Sequence, residues 1–271
     1  GTANVALSHG LRAEWIEPGP LSSSVPDLTH EAVGALLVHD DFRVDNRALA
    51  AALAVSCRER GVRLCTETDV RALRVASGRT QGLTLRDGTS LDTDRVLLSA
   101  GAWSGGIEGL PRALPVRPVR GQMLALRPTS WSSSSVLCSH DVYLVPRDDG
   151  RLLVGATVED VGFEEANTAG GTIGLLSAAL ALVPSLESAP VVEVWSGLRP
   201  ASLDGLPILG GDPEVEGLFY ATGHFRSGVL LAPITGRVLA DLIAGRDSPV
   251  LPRELEAARL AGSPGPLTAG R

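Results

Sequence analysis

The spacing of apolar and polar residues divides the chain into an irregular opening, an α/β stretch, a strand-rich middle and a strand–loop–helix close. Residues 1–40 are expected to be irregular, because Pro18, Gly19, Pro20 and Pro26 interrupt any long element. Asp45 is a suitable N-cap, Asn46–Arg60 is rich in Ala and Leu, and Gly61 follows as a stop, which predicts a helix. Val62–Cys65 then reads as a short strand, so helix and strand form one piece of an α/β unit. Val70–Val75, Gly82–Arg86 and Leu91 alternate in short segments joined by polar turns, including Asp87-Gly88. Arg95–Ser99 reads as a buried strand running into the small residues Gly101 and Ala102.

Residues 114–126 and 136–158 read as strands of a second sheet, with Asp149-Gly150 turning one into the next. Thr172–Val183 predicts a helix stopped at Pro184, and Val191–Leu198 a strand. Leu218–Ala221 predicts a strand, Gly223–Gly228 a glycine-bounded loop, and Leu231–Ile243 a helix ended by Gly245. No internal repeat is visible, and the Pro/Gly/Ser-rich residues 262–271 are expected to be a disordered tail.

Composition narrows the function classes. The chain has 271 residues, 44% hydrophobic and 20% charged, as a globular protein does. Its net charge of −7 argues against nucleic acid as a partner. No apolar run approaches the roughly 18–20 residues of a membrane span. All 24 basic residues are Arg, which excludes a Lys Schiff base and a P-loop lysine. Cys57, Cys65 and Cys138 fit no zinc or redox spacing. Cys57 and Cys65 are expected to be buried small apolar residues, and a reducing cytoplasm is the expected compartment. No signal-peptide pattern is present. Gly1 rather than Met stands first, so this is not expected to be the natural N-terminus.

Among the residues that could carry chemistry, the loop Thr222–Gly228 feeds a predicted helix. Its helix N-terminus would offer free N–H groups to an anion, though the same glycines suit a plain connection. Arg199, before Pro200 at a strand's end, has the fork that binds a carboxylate; a surface ion pair is the alternative. Tyr143 alternates with Val145 in a strand and by pattern alone is a core residue. His140 and His224 have no neighbours that make a triad, no Gly-x-Ser-x-Gly elbow is present, and the five histidines show no metal spacing. Glu159-Asp160 through Glu164-Glu165 reads as a solvated acidic loop rather than a metal site.

Several segments, taken in order, carry a resemblance. They are Arg43–Arg47, Ser99–Trp103, Pro118–Gln122, Tyr143–Arg147, Val154–Thr157, Trp195–Pro200 and Gly223–Pro233. The set resembles the D-amino-acid oxidase family of FAD-dependent amine oxidoreductases, over about residues 11–245, most closely the glycine-oxidising branch that serves thiazole (thiamine) biosynthesis. The resemblance implies an α/β (α+β) fold in which a partial FAD-binding, Rossmann-like domain is interleaved with an antiparallel-sheet substrate domain. The implied segments are 1–42 (substrate domain), 43–113 (FAD domain), 114–198 (substrate domain) and 199–261 (FAD domain).

The implied activity is oxidative deamination of glycine or a small D- or N-methyl amino acid. Hydride would pass from Cα to flavin N5, and O2 would be reduced to H2O2. Arg199 would clamp the substrate carboxylate, assisted by Tyr143 and Arg226. Val70 would meet the adenine end, and Gly101 would let the cofactor pass closely. His224, Phe225, Arg226, Ser227, Gly228, Val229 and Leu230 would lie against the flavin. FAD is expected to be non-covalent, because the family's covalent branch uses a Cys near the C-terminus and the last Cys here is Cys138. The resemblance also suggests a homo-oligomer. The alternatives are a dehydrogenase with a quinone acceptor, or an inactive remnant or interaction subunit. The last is motivated by a departure: the family opens with strand–Gly-x-Gly-x-x-Gly–helix, and this sequence contains no such motif. Gly1 is therefore expected to begin on the order of a hundred residues into the family pattern, and this stretch alone is expected to bind FAD weakly.

Overall fold

The computed structural model describes residues 10–260, so the tail expected at 262–271 lies outside the described residues. The chain forms two compact units: one of Gly1–Leu53, Gly121–Val158 and Glu165–Gly197, the other of Ala54–Arg120, Glu159–Glu164 and Leu198–Arg271.

The opening is more ordered than its prolines suggest. Strands β1 (Ala13–Ile16) and β2 (Ala35–Val38) pair antiparallel, with Ala13 opposite Val38. Between them lies helix α1 (Pro18–Ser24). Pro18 and Pro20 sit in its first turn, where a missing N–H costs nothing.

Helix α2 (Asn46–Glu59) starts where predicted: the Asp45 carboxylate accepts from the N–H of Ala48 at 2.9 Å. That bond draws the Asp45 carboxyl below its usual range. No residue of α2 is buried. Val62–Cys65 forms no strand, because no ladder partner lies beside it among the described residues. Cys65 is accordingly exposed and Cys57 half-buried, against the expectation that both are buried.

The meander folds as β3 (Val70–Ala76), β4 (Arg79–Leu85) and β5 (Ser90–Asp92), an antiparallel sheet in that order. Strand β6 (Val96–Leu98) follows. Next come β7 (Val116–Leu126), β8 (Leu137–Cys138), β9 (Tyr143–Pro146) and β10 (Leu152–Gly155). The Asp149-Gly150 hairpin forms, with Gly150 at φ +83°. Helix α3 (Ala169–Leu182) is capped by Thr168, whose side chain accepts from Gly171 N–H.

Strand β11 (Val191–Ser202) runs past Pro200 and completes a five-stranded sheet of order β11-β7-β10-β9-β8. Strand β12 (Ile208–Gly211) has no sequence prediction; it is four residues long and holds two glycines. It pairs antiparallel with β13 (Leu218–Thr222), which pairs parallel with β6. Helix α4 (Gly228–Ile243) begins three residues earlier than its apolar pattern indicates.

Each unit has its own core. In the first, Leu124, Leu126, Leu144, Leu152 and Val154 of the sheet pack with Leu175, Ala179 and Val183. In the second, Leu73, Leu98, Ile208, Leu218 and Tyr220 pack with Ala257 and Leu260. Alternation in β9 buries Leu144 and Pro146 and leaves Tyr143 and Val145 half-buried. No helix among the described residues is long and apolar enough to cross a membrane.

Candidate active site

The second unit concentrates the predicted site residues at the carboxyl ends of two parallel strands. Strand β6 leads into a tight turn, Gly101–Gly106, and β13 leads into the loop before α4. Three groups tie the two ends together. Ser104 Oγ lies 2.8 Å from the Gly101 carbonyl and 2.9 Å from Thr222 Oγ1, and Thr222 Oγ1 lies 3.2 Å from the same carbonyl. Both hydroxyls are buried, so this closed set satisfies polar atoms that water cannot reach. Gly101 itself has φ +55°, and open space lies where a side chain would stand.

The loop after β13 is held by close packing. Gly223 has φ +75°, and a Cβ there would come within 3.3 Å of the Ser202 Cβ. Phe225 takes φ +48°, a region non-glycine residues rarely adopt. His224 is half-buried, with Nε2 3.1 Å from Thr235 Oγ1. Burial lowers its pKa, so the ring is neutral at pH 7. Arg226 is exposed and makes no hydrogen bond or ion pair among the described residues.

Ser227 makes no side-chain cap, and no acidic residue occupies the first turn of α4. The first helical bond of this turn runs from Leu231 N–H to the Ser227 carbonyl at 2.9 Å, so the N–H groups of Gly228, Val229 and Leu230 precede the ladder. Val229 is 48% and Leu230 80% exposed. The result is a bare, positively polarised helix end flanked by exposed apolar side chains.

Arg199 is brought to this loop by the backbone. Phe225 N–H donates to the Pro200 carbonyl at 2.8 Å, and Ala201 bridges to His224. Arg199 is half-buried, and its Nη1 lies 3.4 Å from the Arg120 carbonyl. Val70 and Tyr143 lie on other strands. Val70 opens β3 opposite Leu85. Tyr143 belongs to the first unit, where its hydroxyl lies 3.7 Å from Met123 Sδ. Its ring lies against Gly155 on β10: a Cβ there would come within 2.5 Å of Tyr143 Cζ and Oη.

Sequence reasoning assigned no role to several contributors, although Thr222 and Gly155 lie in segments it singled out. Ser104 and Thr222 are ordinary hydroxyl residues, and only the pairing of β6 with β13 brings them together. Gly155 carries a signal in retrospect, a glycine at the end of an apolar strand. The acidic loop is exposed from Asp160 to Glu165, as expected, and its start carries two ion pairs that the sequence did not show: Glu159 meets Arg120 at 2.5 Å and Asp160 meets Arg117 at 2.5 Å. No group of His, Cys, Asp and Glu among the described residues could hold a metal ion.

These features define a class of α/β protein that presents a helix N-terminus and a guanidinium beyond the carboxyl ends of parallel strands, where open α/β sheets bind ligands. Within that class the chain belongs to the FAD dependent oxidoreductase (DAO) family, whose model matches residues 2–242. It is 40% identical over 240 residues to the bifunctional protein ThiO/ThiG of Nostoc sp., covering 87% of this chain and 36% of that one. It is 38% identical over 245 residues to the glycine oxidase of Geobacillus kaustophilus, covering 88% of this chain and 64% of that one. The crystal structure of glycine oxidase from G. kaustophilus superposes with a TM-score of 0.89 at 33% identity, over 95% of this chain and 70% of that one. Iminodiacetate oxidase from Chelativorans sp. BNC1 superposes with a TM-score of 0.84 at 31% identity, over 90% and 67%. The chain thus spans between about a third and two thirds of the curated relatives it matches.

The residues present fit the family's cofactor. The unfilled N-terminus of α4 suits the electron-rich edge of a flavin ring, and Val229 and Leu230 offer apolar surface beside it. The open space at Gly101 suits close passage of a ligand along the backbone.

Proposed function

We propose that this chain serves FAD-dependent oxidative deamination of glycine or a small D- or N-methyl amino acid. One observation carries the reading. Arg199, a half-buried guanidinium, lies one residue from the peptide that bonds the loop leading into the bare N-terminus of α4. A carboxylate anchor and a flavin-edge site are thereby held on one rigid piece of backbone.

When bound, FAD supplies the acceptor for the hydride leaving the substrate Cα and passes the electrons to O2, giving H2O2. The protein's own work is orientation. Arg199 binds the substrate carboxylate through its fork, with Tyr143 and Arg226 in support. Val70, Gly101 and the residues His224–Leu230 would hold the cofactor, non-covalently. A neutral His224 and the lack of a triad are no obstacle, because hydride transfer needs alignment more than acid–base groups. The product imine is hydrolysed or handed on. Relatives named ThiO/ThiG support a role in supplying thiazole synthesis.

The test is anaerobic bleaching of the FAD-loaded protein by glycine, sarcosine and D-alanine. Arg199→Ala removes a charge-assisted pair of about 2–4 kcal/mol, so half-bleaching should need roughly 30- to 700-fold more glycine. A loaded protein that all three amines leave yellow overturns the reading. An unchanged glycine requirement in Arg199→Ala removes Arg199 from it.

A further inference from the structure

Beside Arg199 lies an ion pair, with a buried cation and a half-buried carboxylate, that the proposed chemistry does not use. The Arg120 side chain is 4% exposed, and its Nη2 meets Glu159 Oε2 at 2.5 Å. Its Nη1 lies 3.4 Å from the Glu164 carbonyl, and its Nε is buried without a partner. Burying a cation this far is costly, and a buried pair is weak evidence of added stability. The geometry around it is more informative. The backbones of Arg120 and Glu159 bond in both directions, N–H to carbonyl at 2.9 Å each way. The Arg120 carbonyl therefore receives the Glu159 N–H on one side and Arg199 Nη1, at 3.4 Å, on the other.

The loop that supplies Glu159 is fastened at further points. Arg117 pairs with Asp160, and Phe163 lies 6.0 Å from the Trp103 ring in the Gly101–Gly106 turn. The segment Glu159–Glu164 thus joins β7 to the glycine turn after β6, and the oxygen that seats Arg199 stands at its root.

We propose that the Arg120–Glu159 pair is a positioning device for Arg199: it fixes the Arg120 carbonyl, and through it the guanidinium, so that the site prefers a carboxylate to its neutral amide. This rests on the assignment of Arg199 as the carboxylate anchor. In this arrangement Arg120 and Glu159 act through Arg199 and not on the ligand itself. With both side-chain charges removed, the loop keeps its backbone bridge, the Arg117–Asp160 pair and the Phe163–Trp103 contact, but its root loses the ties to the Arg120 side chain, and the carbonyl that orients the Arg199 fork is held less firmly in direction. A guanidinium free to swing still attracts an anion but no longer presents two parallel donors.

The test compares glycolate with glycolamide, a matched carboxylate and amide, by ligand-observed NMR on the protein alone. The variants are Arg199→Ala, the neutral pair Arg120→Gln/Glu159→Gln, and all three together. Arg120→Lys keeps the buried charge but loses the fork, and it reads the same effect should the neutral pair not fold. The expected result is roughly a tenfold loss of glycolate affinity in the neutral pair, the scale of one charge-assisted hydrogen bond. Glycolamide binding should be unchanged, and no further loss should occur in the Arg199→Ala background.

Equal weakening of both ligands would mean a merely structural role and overturns the proposal. So does full glycolate affinity in the neutral pair when Arg199→Ala weakens it. If Arg199→Ala itself leaves glycolate binding intact, the anchor assignment fails, and the positioning role falls with it.

Discussion

Replacing Asp212 by Ala should be among the most damaging single changes to the second unit. The Asp212 side chain is fully buried and meets four donors. Its Oδ1 accepts from Glu214 N–H at 2.8 Å, Val215 N–H at 2.9 Å and Arg112 Nη2 at 3.2 Å. Its Oδ2 accepts from the Tyr220 hydroxyl at 2.8 Å. Burial, reinforced by this bond, pushes the Tyr220 phenol pKa well up, so it stays a donor.

Arg112 is 4% exposed, and after the substitution it would keep only Glu214, itself 60% exposed, as a carboxylate partner. Breaking a buried pair from one side costs about 3–5 kcal/mol. The orphaned Tyr220 hydroxyl belongs to the same network, so its cost is not added in full. For a chain of this size, roughly 2–4 °C are lost per kcal/mol, which puts the fall in Tm at about 6–20 °C. The assay is thermal and urea unfolding of Asp212→Ala beside Tyr220→Phe, which removes only one donor and should cost about 1 kcal/mol. A Tm for Asp212→Ala within about 2 °C of the parent, or above that of Tyr220→Phe, would refute the account of the network.

Gly155→Ala places a methyl within 2.5 Å of the Tyr143 ring, which must swing away at a cost of about 1–3 kcal/mol. Both Tm and glycine half-bleaching should suffer, and a variant that keeps both would show that Tyr143 does not need its seat on β10. Burial lowers the His224 pKa, so below the ordinary value of 6.5 the unfolded chain takes up a proton more readily than the folded one. Stability should therefore fall as pH drops from about 6.5 through the folded pKa, and His224→Gln should flatten that part of a Tm-against-pH curve. Parallel curves for the two proteins would contradict the burial argument.

The sequence spoke most clearly where local chemistry decides structure. Asp45 capped its helix as read, Asp149-Gly150 turned its hairpin, and the alternating meander formed β3 to β5. It was quieter where a partner distant in sequence decides. Val62–Cys65 has strand composition but no ladder partner among the described residues, whereas the short, glycine-bearing β12 is a strand because β13 lies beside it. Two prolines in seven residues hid α1, because the pattern does not show that both fall in the first turn. At the site, the glycine loop and Arg199 were visible as types in a setting. The Ser104–Thr222 link and the pairing of the acidic loop with Arg117 and Arg120 needed the sheet to exist first.

Among the described residues, the side-chain ties of helix α2 to the rest of the fold lie at one end. Its first turn has the Asp45 cap, a two-pronged Arg47–Glu193 contact and the stacking of Arg47 over Trp195 at 5.1 Å. Toward Glu59 the side-chain ties are local, between Arg60 and Ser56, and no residue of the helix is buried. A helix held this way unravels directionally, by opening events far smaller than global unfolding. In deuterium, its backbone amides should exchange in a gradient: slowest just after the first turn, around Leu49, and progressively faster toward Glu59, while the amides of α3 on the first unit's core remain protonated long after.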